Sequence, residues 1–240
     1  MKKSCKILIS VLSVILICAV GVGIYASDYY RADTVAVSAT VSTDDVTITT
    51  DKDSNAVFMP ESPEYGFIFY PGGKVEYTAY APLMNALAKD GILCVVTEMP
   101  LNLAVLDVNA ADGIAEQYPQ VESWYIGGHS LGGSMAASYA LENADCFDGL
   151  VLLASYSTAD LTSTDLDVIS VYGSNDGVLN MEKYEEYKSN LPVGTAEKII
   201  DGGCHAYFGS YGAQDGDGTP EITAEQQLNQ TVDILKDFIK

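Results

Sequence analysis

Five consecutive residues, Gly128-His129-Ser130-Leu131-Gly132, set a serine between two glycines in the spacing G-x-S-x-G. Small residues on both sides of a serine permit a tight, strained bend that lifts its hydroxyl clear of a sheet edge, the geometry of an acyl-transfer nucleophile. A serine hydroxyl is a weak nucleophile and needs a base. The sequence has two histidines, His129 and His205. His129 adjoins Ser130, where neighbouring side chains diverge, and its expected role is packing beside the sheet end. His205, in Gly202-Gly203-Cys204-His205-Ala206, is the candidate base. A third group should hold the imidazole in one tautomer and stabilise its charged form. Asp176, in Gly173-Ser174-Asn175-Asp176-Gly177, is the first candidate; Asn-Asp-Gly is also a strong turn signal, and Asp160 and Asp165 are the substitutes. The order Ser130, Asp176, His205 suits an elbow built on an α/β sheet. Developing negative charge on a substrate oxygen calls for two backbone N–H donors. One is expected from Leu131, the residue after the nucleophile, and the other from the Gly72-Gly73-Lys74 turn, with Gly73 first and Lys74 second.

These residues need elements to carry them. Val121 to Ile126 is an apolar and aromatic run suited to a buried strand, and Ser134 to Leu141 is rich in Ala, Met and Leu, as a helix would be. The motif therefore falls on a strand-to-helix turn. From Tyr65 onward the two patterns alternate. Strands are expected over Tyr65–Tyr70, Ile92–Thr97, Trp124–Gly127, Leu150–Ala154, Val168–Tyr172 and Glu197–Ile200. Helices are expected over Ala79–Lys89, Ala104–Tyr118, Gly132–Asn143, Met181–Ser189 and Thr223–Ile239. Near-continuous apolar strands separated by amphipathic segments imply a mostly parallel sheet covered on both faces. Both Asp176 and His205 follow strands and fall at the carboxyl edge, where such sheets place their sites. Before Tyr65, the segments Thr34–Val41, Val46–Thr50 and Ala56–Met59 show β-type alternation and are expected to be leading antiparallel strands.

Composition bounds the partners. At 240 residues and 48% hydrophobic content the chain can bury one sizeable core. Its net charge of −21 repels phosphate backbones and argues against nucleic acid. Cys5 and Cys18 belong to the N-terminal segment, and Cys94, Cys146 and Cys204 have neither C-x-x-C spacing nor companion histidines, so no metal site and no cofactor are expected. Cys94 is expected in the core and Cys204 exposed near the site. Asp215 and Asp217 lack the remaining spacing of a calcium loop and read as a flexible polar loop, Gly209 to Pro220.

Ile7 to Ala26 carries no charge and follows Lys2, Lys3 and Lys6; as a helix rising 1.5 Å per residue it would span roughly 30 Å. The expectation is an N-terminal membrane anchor or signal segment over 1–26: a single-pass helix in the cell membrane with the basic end inside and the body outside, or a secreted body after signal cleavage. Residues 27–64 form a junction with the leading strands, and 65–240 the catalytic core.

The chain resembles the α/β-hydrolase superfamily, and within it the small lidless group close to dienelactone hydrolase-like esterases behind an N-terminal anchor. The matching stretches are Phe69 to Tyr77, Met99 to Ala104, the serine elbow, Gly173 to Gly177 and Gly203 to Gly209. The resemblance implies an eight-strand-type sheet, with Ser130 as nucleophile, Asp176 as acid and His205 as base. Dienelactone hydrolases proper use a cysteine nucleophile, from which Ser130 departs. Tyr156 to Asp167 is too short for the helical cap that many lipases insert there. The expected activity is hydrolysis of a carboxylic ester or related small acyl substrate through an acyl-enzyme. Acyl transfer or peptide cleavage by the same triad, and a non-catalytic binding module on the same fold, are the alternatives.

Overall fold

The computed structural model describes residues 3–239. Eight strands form one sheet in the order β1-β2-β4-β3-β5-β6-β7-β8. In sequence these are β1 (Val46–Thr50), β2 (Ala56–Pro60), β3 (Tyr65–Tyr70), β4 (Ile92–Val96), β5 (Ser123–His129), β6 (Gly149–Leu153), β7 (Asp167–Gly173) and β8 (Ala196–Ile200). β1 pairs with β2, and β2 with β4, antiparallel. Every other neighbouring pair is parallel.

Alternation along the central strands divides the core between the two faces. Phe67 and Phe69 of β3 pack with α3 (Ala81–Lys89) and α6 (Ala224–Phe238) on one face. Ile68 and Tyr70 pack on the other face with Ile126, Leu150 and Leu152 and with α4 (Leu131–Glu142). Each such side chain removed from water contributes about 1.5–3 kcal/mol, and this burial rather than helix propensity holds the layers together. α6 starts on a capping box in which Thr223 accepts from the Gln226 N–H and Gln226 accepts from the Thr223 N–H. α5 (Met181–Tyr187) is capped by Asn180.

Between β6 and β7 the chain from Ala154 to Leu166 forms no helix or strand, so the sheet carries no cap domain. The fold is that of an α/β hydrolase.

Two local expectations are corrected. Thr34–Ala39 is a helix, α2, not a strand, because the Asp33 carboxylate accepts the Val35 and Ala36 N–H groups and nucleates a turn. Ala104–Tyr118 is no continuous helix; short 3-10 turns at Ala104–Leu106 and Ala115–Gln117 are all that forms. Asp107, Asn109 and Asp112, with Gly113 at φ +71°, favour turns over helix continuation.

The membrane expectation is also corrected: among the described residues no helix is long and apolar enough to cross a membrane. The N-terminal helix α1 covers Lys3–Ser27. Lys3 and Lys6 fall inside this helix, and Ser10, Ser13, Gly21 and Gly23 lie along it. The side chains of Cys5 and Cys18 lie outside the described residues. Just past α1, the Tyr30 N–H donates to Lys74 O at 2.8 Å and the Glu76 N–H to Tyr30 O at 2.9 Å. Residues that lead out of the first helix thus reach the turn after β3.

Candidate active site

β5 ends at His129 and α4 begins at Leu131, so Ser130 is the single residue of the turn between them. Its backbone sits at φ 52°, ψ −122°, a left-handed conformation that costs a non-glycine residue roughly 1–3 kcal/mol. The surroundings hold it there. Its N–H donates to Leu153 O at 2.9 Å, and its carbonyl accepts from the Ser155 hydroxyl at 2.7 Å. Gly132 is required because a Cβ there would overlap the carbonyls of Tyr70 and Pro71; at Gly128 it would come within 2.6 Å of Tyr70 O. The two glycines of the motif are therefore the places where the elbow passes over the end of β3.

Asp176 and His205 arrive from the loops after β7 and β8. His205 Nδ1 lies 2.8 Å from Asp176 Oδ2, and the two side chains are each 1% exposed. The other carboxylate oxygen accepts the N–H groups of Val178 at 2.9 Å and Leu179 at 2.7 Å, which fixes the carboxylate plane. Because the carboxylate accepts, Nδ1 is the donor and Nε2 carries the lone pair. His205 Nε2 is buried and has no hydrogen-bond partner among the described residues. His205 and Ser130 line one cavity of about 240 Å³, together with Leu131, Ala154, Tyr156 and Asn180. A larger cavity of about 410 Å³, between Pro82, Phe208 and Leu228, contains none of the candidate residues.

The turn after β3 stands over the start of α4, for a Cβ on Gly73 would sit 3.1 Å from Leu131 Cδ2. Of the two donors expected from sequence, the Lys74 N–H is already given to Asn102 O at 2.7 Å. The Leu131 N–H belongs to the first turn of α4, where backbone donors lack partners within the helix and the dipole favours negative charge.

The substitutes for Asp176 lie apart from His205. Asp160 accepts from the N–H and hydroxyl of Thr162, and Asp165 lies beside Asp145 and Asp148 on a different surface. Cys204 is buried, not exposed, because Gln227 of α6 accepts its N–H at 2.9 Å and donates to its carbonyl at 2.8 Å, drawing the turn inward. Burial, reinforced by the Asp217 carboxylate, pushes its thiol up to about 12, so Cys204 stays a thiol at neutral pH. Cys94 is buried in the core, and no disulfide joins Cys146 to Cys204. No group of three or more His, Cys, Asp or Glu side chains suited to a metal ion occurs among the described residues.

Three contacts had no signature in the sequence. Tyr80 accepts the Gly72 N–H at 2.9 Å and places its hydroxyl 2.8 Å from His129 Nδ1. Gln227 holds both backbone groups of Cys204. Asp217 accepts backbone N–H groups from the loops of both Asp176 and His205. Each joins residues far apart in the chain.

A strained elbow serine, an aspartate-bound imidazole and a glycine turn at the carboxyl edge of a mostly parallel sheet define the class as an α/β hydrolase. Residues 66–229 match the model of the Alpha/beta hydrolase family, and the chain belongs to that family. No curated protein is similar enough in sequence to count as a match. Among solved structures it is similar to a predicted CIB-like hydrolase from Thermoplasma acidophilum, with a TM-score of 0.58, 19% identity, and coverage of 80% of this chain and 99% of that one. Est1E from Butyrivibrio proteoclasticus gives 0.57 at 13% identity, covering 81% and 97%. A dienelactone hydrolase from Anabaena variabilis gives 0.59 at 13% identity, covering 80% and 96%. At such identities the likeness speaks to the fold; family membership supports a hydrolytic function.

Proposed function

We propose that the protein is a serine hydrolase that cleaves a carboxylic ester or related small acyl compound through an acyl-enzyme. Ser130 Oγ attacks the acyl carbon while His205 Nε2 takes its proton, and Asp176 stabilises the imidazolium that results. The oxyanion of the tetrahedral intermediate accepts hydrogen bonds from the Leu131 and Gly73 N–H groups. Collapse breaks the bond to the leaving group, which receives the proton from Nε2. Water then attacks the acyl-Ser130 ester with His205 again as base, and the acid leaves with Ser130 restored. Transfer to another acceptor shares every step up to the acyl-enzyme.

The observation that carries this reading is the cavity that Ser130 and His205 both line, with the imidazole held by Asp176 through Nδ1 and its buried Nε2 without a hydrogen-bond partner among the described residues. A non-catalytic binding module has no need for a strained serine at φ 52° beside such an imidazole. A fluorophosphonate probe should label the wild-type protein and leave Ser130→Ala unlabelled. Absence of wild-type labelling, or equal labelling of both, would overturn the reading.

A further inference from the structure

Asp217 lies in the loop between the base and α6, on a segment whose composition reads as flexible. Its side chain accepts four backbone N–H groups. Oδ1 takes those of Gly177 at 3.1 Å, His205 at 3.2 Å and Gly218 at 2.8 Å, and Oδ2 takes that of Ala206 at 2.8 Å. Gly177 follows Asp176 directly, and Ala206 follows His205. One carboxylate therefore pins the acid loop and the base loop at the residues that carry the imidazole pair.

The fit is close. A Cβ on Gly218 would overlap the Asn175 carbonyl, and one on Gly177 would come within 2.6 Å of the Gly218 N–H nitrogen. The loop is thus seated against the Asp176 turn with no room for a side chain. Burial by itself would raise the Asp217 carboxyl, but the N–H groups of Ala206, Gly177, His205 and Gly218 outweigh it and hold the group below the ordinary carboxylate range. The site thus contains an anion that does not face the cavity.

We infer that Asp217 is a positioning residue, whose carboxylate sets the distance between the Asp176 and His205 loops and so keeps the imidazole aligned with the Ser130 hydroxyl. The inference rests on the function proposed above. Other ties join the same strand ends, such as the Asn175 N–H to Gly203 O at 2.8 Å, but Asp217 reaches the backbone of His205 itself. The two loops are rich in glycine, at 173, 177, 202 and 203, and so are costly to order. A displacement of about 1 Å in such a constellation costs on the order of 100-fold in rate.

The test is a pair of variants. Asp217→Ala removes all four acceptor contacts, whereas Asp217→Asn keeps the shape and one acceptor oxygen. Rates should be expressed per active site, counted by stoichiometric fluorophosphonate labelling, because a residue that only stabilises the fold lowers the count and not the rate per site. We expect kcat per labelled site to fall about 100-fold in Asp217→Ala and about 10-fold in Asp217→Asn, with KM within about threefold of wild type. The proton shared by His205 Nδ1 and Asp176, seen as a strongly deshielded resonance in proton NMR, should weaken or vanish in the same order. Should Asp217→Ala fail to fold, Asp217→Asn decides. Rates per site within twofold of wild type and an unchanged resonance would overturn the inference while leaving the hydrolase reading intact. If the wild type takes no label, that reading fails instead, and the Nδ1 resonance alone still reports whether Asp217 sets the pair.

Discussion

The Tyr80 hydroxyl lies 2.8 Å from His129 Nδ1, deep beneath the elbow, while the same oxygen accepts the Gly72 N–H at 2.9 Å. The residue before the nucleophile is thereby linked to the glycine turn that faces it. With its oxygen occupied by the Gly72 N–H, the Tyr80 hydroxyl is placed to donate to His129 Nδ1; His129 ends β5, whereas Tyr80 precedes α3. Tyr80→Phe should leave a buried N–H and a buried ring nitrogen unpaired, at a cost of about 1–3 kcal/mol each. Urea unfolding should show a loss of that size, and kcat should fall with it because the proposed Gly73 donor lies in the freed turn.

His129 makes a second prediction, about pH. Burial first, and then the nearby His205 ring, hold its folded-state pKa well below 6.5. The unfolded chain therefore binds a proton that the native chain refuses. Stability is complete above about pH 6.5 and declines as pH falls below it, by up to ~1.4 kcal/mol per pH unit until the folded-state value is reached. Denaturant melts between pH 7 and 5 should show this slope, and His129→Gln should flatten it.

Asp176 should matter through orientation. Asp176→Asn can donate to Nδ1 and so favours the tautomer with its proton on Nε2, which leaves no lone pair facing Ser130. A fall in kcat on the order of 10³ to 10⁴ is expected with little change in KM. Steady-state hydrolysis of p-nitrophenyl acetate measures it, and a change confined to KM would contradict the assigned role.

Gly132→Ala should disrupt the elbow, since the added methyl meets the carbonyls of Tyr70 and Pro71, which are backbone and cannot rotate away. A destabilisation of about 3 kcal/mol or more is expected, near the upper end for single substitutions. Thermal melts of the variant report it without reference to activity.

Cys204 should be inert in the folded protein. With the thiol raised to about 12 and buried, iodoacetamide at pH 8 should leave it unmodified, whereas exposed Cys146 reacts. Peptide mapping before and after urea treatment separates the two.

Much of this protein is written locally in its sequence. The elbow was legible because a strand, a glycine-bracketed serine and a helix are consecutive, and the parallel sheet because unbroken apolar runs such as Leu150–Leu153 suit a strand buried on both faces. Asp176 and His205 were legible as candidates because each follows a strand pattern, Val168–Tyr172 and Glu197–Ile200, and their order along the chain fits the resemblance. Local pattern misleads where it is weak: alternation at Thr34–Val41 gives way to one aspartate cap, and the uncharged N-terminal run, expected as an anchor or signal segment, provides among the described residues no helix long and apolar enough to cross a membrane. What only the tertiary structure decided is the set of partners across the chain. Tyr80 meets His129, Gln227 meets Cys204, and Asp217 meets His205 and Gly177, each through hydrogen bonds to backbone or a ring nitrogen. Such bonds demand position, not a particular neighbour in sequence, so no spacing or periodicity announces them until the sheet has brought its loops to one edge.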